Sequence, residues 1–296
     1  MRIALLHNPA AGDSPSRRQL IRLIERHGHE VRYHSTKEKG DEEIRDEDVD
    51  LVLIAGGDGS TAKAFKLLGS KVPFALLPVG TANNIACSLG IAGSHEEIVA
   101  GLAKAREVRL DVGTARAPWG ETRFVESAGV GLFAALLREA MYETTTPRKE
   151  DPELDPITWA RHKLRGLLQR VAARQCSIEV DGAELSGEYL MATVMNISYI
   201  GPRLWLAPTV TPGDGCLELL LVKEEDRVVF ATWLDDLIHG KREAFPILPW
   251  KGRRIRMEWS GAAGHLDDEA WPKPDLAPGN GMVTLEVVSE PVRVLV

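Results

Sequence analysis

The sequence predicts an α/β chain with an N-terminal doubly wound parallel-sheet domain and a C-terminal, β-rich domain of antiparallel, sandwich-like sheets. Three observations carry this. Leu51-Val-Leu-Ile-Ala55 is an apolar run without alternation, as a strand buried on both faces requires. It stops at Gly56-Gly57-Asp58-Gly59 and gives way to a helix-like segment, Thr61 to Leu68. Leu76 to Val79 repeats the plan, passing through Gly80 into a helix start near Asn84. From Val108 onward the composition changes and short strands dominate.

Taken in order, Arg2 to Leu6 gives a first strand, followed by His7-Asn8-Pro9-Ala10-Ala11-Gly12, small residues that suit a phosphate-facing loop. Ser14 or Ser16 caps a helix whose Leu20, Ile21, Leu23, Ile24 and His27 fall at helical spacing, and Gly28 ends it. Val31 to His34 reads as a second strand, and Lys37 to Asp50 as a solvated helix and loop. Ser94 caps a helix through Arg106. These βα units make residues 1–110 the first domain. Residues 111–290 form the second, with strands expected at Val108 to Ala117, Thr122 to Val130, Cys176 to Val180, Glu188 to Ser198, Cys216 to Val222, Arg254 to Trp259 and Met282 to Val288. Alternation in Ile178-Glu179-Val180 and Arg254-Ile255-Arg256-Met257 fits an antiparallel sheet with one wet face. Asp181-Gly182 is a hairpin signal. The last strand, 291–296, is expected to return to the first domain.

The 296 residues are 44% hydrophobic and 27% charged, ordinary for a soluble globular protein. A net charge of -7 argues against a nucleic-acid partner. No apolar run reaches membrane-spanning length. Cys87, Cys176 and Cys216 are odd in number and lack metal spacing, as expected of reduced packing thiols in a cytoplasmic protein.

Glycines at the carboxyl end of a strand let backbone amides approach an anion, and the following helix adds its positive end. Asp58 is thereby placed among such amides, where it can hold a metal ion or orient a hydroxyl; a plain strand-loop-helix turn explains the same residues. In the second turn Thr81, Asn83 and Asn84 supply neutral hydrogen-bonding groups. Two such turns from neighbouring strands would face one crevice, where open α/β sheets bind ligands.

Together, Gly56-Gly57-Asp58-Gly59-Ser60, Gly80-Thr81-Ala82-Asn83-Asn84 and Asn8-Pro9-Ala10-Ala11-Gly12 resemble the diacylglycerol kinase catalytic-domain family, which includes bacterial lipid kinases and the sphingosine kinases. The resemblance implies an NAD kinase/phosphofructokinase-like first domain, a β-sandwich-like second domain and an active site between them. It implies ATP and Mg²⁺ as cofactors. The nucleotide would be met by Asn8, Pro9, Ala10, Ala11, Gly12 and Thr36, then by Gly56, Gly57, Asp58, Gly59, Ser60, Thr61 and Lys63, and finally by Gly80, Thr81 and Asn83. In Pro212-Gly213-Asp214-Gly215-Cys216-Leu217 it implies a Mg²⁺ site away from the phosphates, with the Asp214 carboxylate and the carbonyls of Thr211 and Cys216; a turn into a strand is the plainer reading of the segment. That site is distinct from a Mg²⁺ bridged through water to Asp58, which offsets charge on the transferring phosphoryl group. In His265-Leu266-Asp267-Asp268-Glu269 it implies Asp267 as the base for a lipid hydroxyl, with Glu269 assisting and Asp58 as the rival base. Asp268 replaces the family's glycine; if that glycine serves a positive φ, aspartate is among the better substitutes.

Other departures are Ser60 for threonine, Lys63 for glutamate, Asn84 for aspartate and Phe133 for aspartate, which leave the expected cleft less acidic. The segment Ile157 to Gln175 pairs an apolar stripe with Arg161, Lys163, Arg165, Arg170 and Arg174. Such a helix either rests on anionic headgroups or, more commonly, covers a sheet. The expected function is therefore an ATP- and Mg²⁺-dependent lipid kinase of the cytoplasm that meets a diacylglycerol-like lipid at the membrane surface, homodimer formation being left open. The alternatives are a non-catalytic lipid-binding protein of the same fold and an NAD kinase-like enzyme.

Overall fold

The structure, a computed structural model, describes residues 1–38, 44, 48–143, 154–260, 264–272, 280–287 and 290–296. They form two compact units: Met1–Val112 with Pro212–Asp214 and Val288–Val296, and Gly113–Thr211 with Gly215–Val287.

The first unit contains β1 (Arg2–His7), α1 (Arg17–Arg26), β2 (Glu30–Ser35), β3 (Leu51–Gly56), α2 (Asp58–Leu68), β4 (Phe74–Pro78), α3 (Asn84–Ser88), α4 (His95–Gly101) and β5 (Glu107–Leu110). Its sheet runs β2-β1-β3-β4, then the C-terminal strand Val292–Leu295, then β5. Strands β1 to β4 are parallel, so the loops after them leave from one edge. The C-terminal strand is parallel to β4 and antiparallel to β5. Apolar faces of β1 and β3 pack with Leu20 and Ile24 of α1 in one core cluster. Ser16 caps α1 in a reciprocal box with Gln19, and Ser94 does the same for α4 with Glu97. Most of the charged segment expected at Lys37 to Asp50 lies outside the described residues.

The second unit contains β6 (Gly113–Ala117), β7 (Gly120–Phe124), β8 (Ser127–Gly131), α5 (Leu132–Glu143), α6 (Pro156–Leu168), β9 (Arg174–Cys176), β10 (Ile178–Val180), β11 (Ala183–Glu184), β12 (Gly187–Tyr189) and β13 (Met191–Met195). It continues with β14 (Tyr199–Ile200), β15 (Leu204–Trp205), β16 (Leu217–Val222), α7 (Arg227–Ile238), β17 (Trp250–Gly252), β18 (Arg254–Ser260), β19 (Gly264–Leu266), β20 (Glu269–Trp271) and β21 (Asn280–Val287). Two sheets result, ordered β11-β10-β18-β21-β6-β7 and β17-β16-β13-β8-β19-β20. Alternation sorts their side chains. Val130, Ala192 and Leu219 join Ile178, Met257 and Trp259 in the sandwich core. Met191 and Leu220 point the other way and pack with α5, α6 and α7 around Phe133, Leu167 and Phe230.

Three expected strands are divided. Val108 to Ala117 is β5 and β6, which pair in different sheets. Thr122 to Val130 breaks between β7 and β8, where the amides of Val125 and Glu126 are captured by the Asp267 carboxylate. Glu188 to Ser198 becomes β12 and β13, which also pair in separate sheets. Helix α6 stops at Leu168, seven residues before the expected end at Gln175. Its cations are engaged inside the unit: Arg161 donates to the carbonyls of Pro202 and Leu237, and Arg165 forms a two-pronged pair with Asp235 of α7. This is the sheet-covering arrangement. Among the described residues no helix is long and apolar enough to cross a membrane.

Candidate functional site

Three loops meet at the carboxyl edge of the parallel strands in the first unit. The first, after β1, is folded on itself by Asn8, whose Oδ1 accepts the Ala10 amide at 3.1 Å while its Nδ2 donates to Ser60 Oγ at 3.1 Å. Gly12 adopts a φ of 35°, and a Cβ there would lie 2.5 Å from the Val79 carbonyl. The second loop presses on the third: a Cβ on Gly80 would lie 2.5 Å from the Gly57 Cα. The three backbones approach closer than side chains allow, which is why these positions are glycine.

Helix α2 begins at Asp58, three residues earlier than Thr61, with Gly57 as an N-cap that offers no side-chain acceptor. The first amides of an eleven-residue helix thus open toward this edge, as an anion site requires. Asp58 is not a free loop carboxylate. It is buried, and its Oδ1 accepts the Ile85 amide in the first turn of α3 at 2.9 Å. Asn83, at a φ of 53°, holds both the amide and the carbonyl of Gly80 with its side chain. Asn8, Asp58 and Asn83 therefore fix the loops, leaving backbone amides to face a ligand. Thr81 and Lys63 are exposed, Thr36 is half-buried in the turn after β2, and Thr61 Oγ1 donates to the Gly57 carbonyl.

His7 escaped the sequence reading. It is 1% exposed and bridges Tyr33 Oη at 2.9 Å and Ser14 Oγ at 2.8 Å, anchoring both ends of the first loop region. Burial lowers its pKa. A polar residue closing an apolar strand was the available signal.

In the second unit, Asp267 and Asp268 form the two-residue turn between β19 and β20. The positive φ belongs to Asp267, at 50°, and not to Asp268, which corrects the expectation drawn from the family's glycine. Asp267 is buried; its Oδ1 accepts the amides of Val125 at 2.8 Å and Glu126 at 2.7 Å, and its own amide donates to the Ser127 carbonyl. Glu269 is exposed. Around Asp267 lies a buried polar set that sequence reasoning missed. Asn196 holds the Val125 carbonyl through its side chain and the Glu126 carbonyl through its amide, and Glu126 is itself 1% exposed. Acid and amide residues interrupting apolar strand runs were the signal. His265, fully buried, faces Ser127 Oγ at 3.2 Å and meets the Phe133 ring edge-on at 4.7 Å; burial pushes its pKa down to about 3.

Phe133 and Asn84 are core positions, 2% and 1% exposed. Neither side chain forms part of an open cleft wall, in contrast to the expectation that these two positions make a cleft less acidic. The Phe133 ring also dictates a neighbour, since a Cβ on Gly201 would sit 2.4 Å from it.

Asp214 stands between two left-handed glycines, Gly213 at 76° and Gly215 at 73°, and is half-buried. A Cβ on Gly213 would meet the Arg109 carbonyl at 2.7 Å, so the turn is seated on β5. Pro212–Asp214 belong to the first unit, whereas Thr211 and Cys216 belong to the second. Among the described residues no three His, Cys, Asp or Glu side chains converge as a metal cage. One carboxylate with turn carbonyls fits by chemistry a hard divalent cation that keeps much of its water.

Residues 2–115 match the diacylglycerol kinase catalytic domain, and residues 153–288 match the YegS C-terminal NAD kinase beta sandwich-like domain. The probable lipid kinase YegS-like protein of Klebsiella pneumoniae is 25% identical over 286 residues, 88% of this chain and 93% of that one. The diacylglycerol kinase of Bacillus subtilis is 26% identical over 247 residues, 77% and 76% of the two chains. Among solved structures, a diacylglycerol kinase from Bacillus anthracis superposes with a TM-score of 0.69 at 19% identity, covering 99% of this chain and 96% of that one. An NAD kinase from Archaeoglobus fulgidus in complex with ATP gives 0.54 at 15% identity over 100% and 94%. The expected pairing of a parallel-sheet domain with a β-sandwich domain is the fold these structures share.

Proposed function

The chain belongs to the diacylglycerol kinase catalytic-domain family, and from that premise we propose that it transfers the terminal phosphoryl group of ATP to the hydroxyl of a diacylglycerol-like lipid. The observation that carries the reading is the close approach of Gly12, Gly57 and Gly80 around the bare N-terminus of α2. Such a cradle suits a polyphosphate, because amides and a helix end bind anionic oxygens without a cation of their own.

In this reading the amides of the second loop and of α2 hold the phosphates, and Lys63, one turn further along α2, adds positive charge nearby. Thr81 bonds the nucleotide from the third loop, with Thr36 placed after β2. Asp58 keeps the second and third loops in register and supplies a carboxylate to the phosphate region. Mg²⁺, when bound through water to Asp58, would offset charge on the transferring group; a second Mg²⁺, away from the phosphates, would have Asp214 and the carbonyls of Thr211 and Cys216 as its proposed ligands. Asp267 is the proposed base. It takes the proton of the acceptor hydroxyl as the oxygen–phosphorus bond forms, with Glu269 assisting. The left-handed turn and two amide donors hold its carboxylate in one orientation.

The test supplies γ-labelled ATP and Mg²⁺ with diacylglycerol in mixed micelles, and NAD in a parallel reaction. Label in a phosphorylated lipid supports the proposal. Label in NAD alone overturns it in favour of the NAD kinase-like alternative, and nucleotide binding without transfer to any extracted lipid favours the non-catalytic one.

A further inference from the structure

At the end of the second unit where β8 passes into α5, the structure holds a cavity of about 370 Å³, at the small end of the roughly 300–1,000 Å³ spanned by small-molecule sites. It is not the site of the acidic turn. Asp267 is bonded at the Ser127 end of β8, whereas the cavity wall begins at Val130 and its register partner Ala192, roughly 10 Å further along the strand.

The wall has two characters. Val130, Ala192, Cys176 and Tyr189 come from the sandwich core and make an apolar floor. Arg138 of α5, Arg170 from the segment after α6 and Arg174 at the start of β9 bring three guanidinium groups to the lining, against the single carboxylate of Glu258. Arg170 is already paired with Glu139 at 3.0 Å. Arg138 and Arg174 are exposed and have no carboxylate within salt-bridge distance among the described residues. Guanidinium forks match the oxygens of a phosphate, and the floor beneath them rewards an apolar stem.

We propose that this cavity binds a phosphate monoester carrying an alkyl chain, with the phosphate on Arg138 and Arg174 and the first part of the chain over Tyr189 and Ala192. The volume admits a head and a short length of one chain. Glu258 excludes a second anionic head and favours a hydroxyl beside the phosphate. The assignment does not depend on the kinase reading, since none of the nucleotide loops nor Asp267 lines the cavity.

The test is calorimetric titration of the full chain with octyl phosphate, inorganic phosphate and octanol. Octyl phosphate should bind at least tenfold more tightly than either of the others. The double variant Arg138→Ala/Arg174→Ala should lose at least tenfold, and Ala172→Trp, at an exposed lining position, should block binding while keeping the native melting temperature. Asp267→Asn should leave the affinity unchanged. Octyl phosphate should also slow alkylation of Cys176, read by mass spectrometry against Cys87 and Cys216, which do not line the cavity. Equal binding of inorganic phosphate makes the apolar floor irrelevant, and equal binding of octanol does the same for the arginines. Either result overturns the proposal, as does unchanged affinity in the folded double variant, loss of binding in Asp267→Asn, absence of Cys176 protection, or no octyl phosphate binding at millimolar concentration.

Discussion

The Asp58 carboxylate and the Ile85 amide are joined at 2.9 Å, which ties the first turn of α2 to the first turn of α3. The two glycine turns are thus one mechanical object, and a residue that sequence alone presents as a loop carboxylate also holds the fold.

Asp58→Ala and Asp58→Asn should therefore part company. Alanine leaves a buried amide without its acceptor, at a cost of about 1–3 kcal/mol in urea unfolding. Asparagine keeps an acceptor oxygen and should unfold close to the native midpoint while losing phosphoryl transfer. Equal unfolding midpoints for the two variants would remove the structural part of this account, and near-normal turnover in Asp58→Asn would remove the chemical part.

Gly80→Ala tests the cradle. The added Cβ falls 2.5 Å from the Gly57 Cα, so the second and third loops must separate, and overpacking of this kind costs about 1–3 kcal/mol. ATP affinity should drop roughly tenfold or more, measured by titration, while lipid binding stays as it was. Native ATP affinity in this variant contradicts the three-loop site.

For Asp267, the informative replacement is again asparagine. It tolerates a left-handed φ and keeps an oxygen for the Val125 and Glu126 amides. Turnover should fall about a hundredfold or more, the scale of lost general-base assistance, with ATP affinity unchanged. If the variant turns over normally, Asp58 becomes the better base.

His265 makes a prediction about pH. Its pKa in the fold is about 3 against 6.5 in an unfolded chain. Between those values the unfolded chain takes up a proton that the folded one refuses. Stability is thus fully present above pH 6.5 and falls as the pH drops toward 3, by about 1.4 kcal/mol per pH unit from this group alone. His265→Gln should flatten the stability profile by about one proton between roughly pH 4 and 6. A profile parallel to the native one assigns the acid sensitivity elsewhere.

Asp214→Ala addresses the cation. Activity should require a higher Mg²⁺ concentration with ATP affinity little changed. An unaltered Mg²⁺ dependence returns Gly213-Asp214-Gly215 to being a turn seated on Arg109.

Much of this was legible in the residues. Unbroken apolar runs announced β3 and β4, and the alternation of Arg254 to Met257 announced an antiparallel strand, because burial on two faces and on one leave different periods. The glycine turns after β3 and β4 were visible because only glycine lets positions 57 and 80 approach this closely. What stayed hidden depends on contacts distant in sequence. Asp267 lies 142 residues from Val125, whose amide it holds, and that bond breaks a strand that local pattern reads as continuous. His7 and Glu126 look like ordinary strand-end residues until their partners are in place. The arginines of α6 look like a basic face until Asp235 and the carbonyls of Pro202 and Leu237 are brought to them.

The strand Val292–Leu295 lies between β4 and β5 in the first unit, and this sets the order of events at the ribosome. A nascent chain that has emerged only through residue 112 carries β4 with an open parallel edge and β5 without a sheet neighbour. Both are surfaces prone to pairing with another molecule. The parallel-sheet unit therefore waits for the whole intervening unit to be translated before its own sheet can close, and a gene fragment encoding residues 1–112 alone should yield aggregates and not a smaller folded protein.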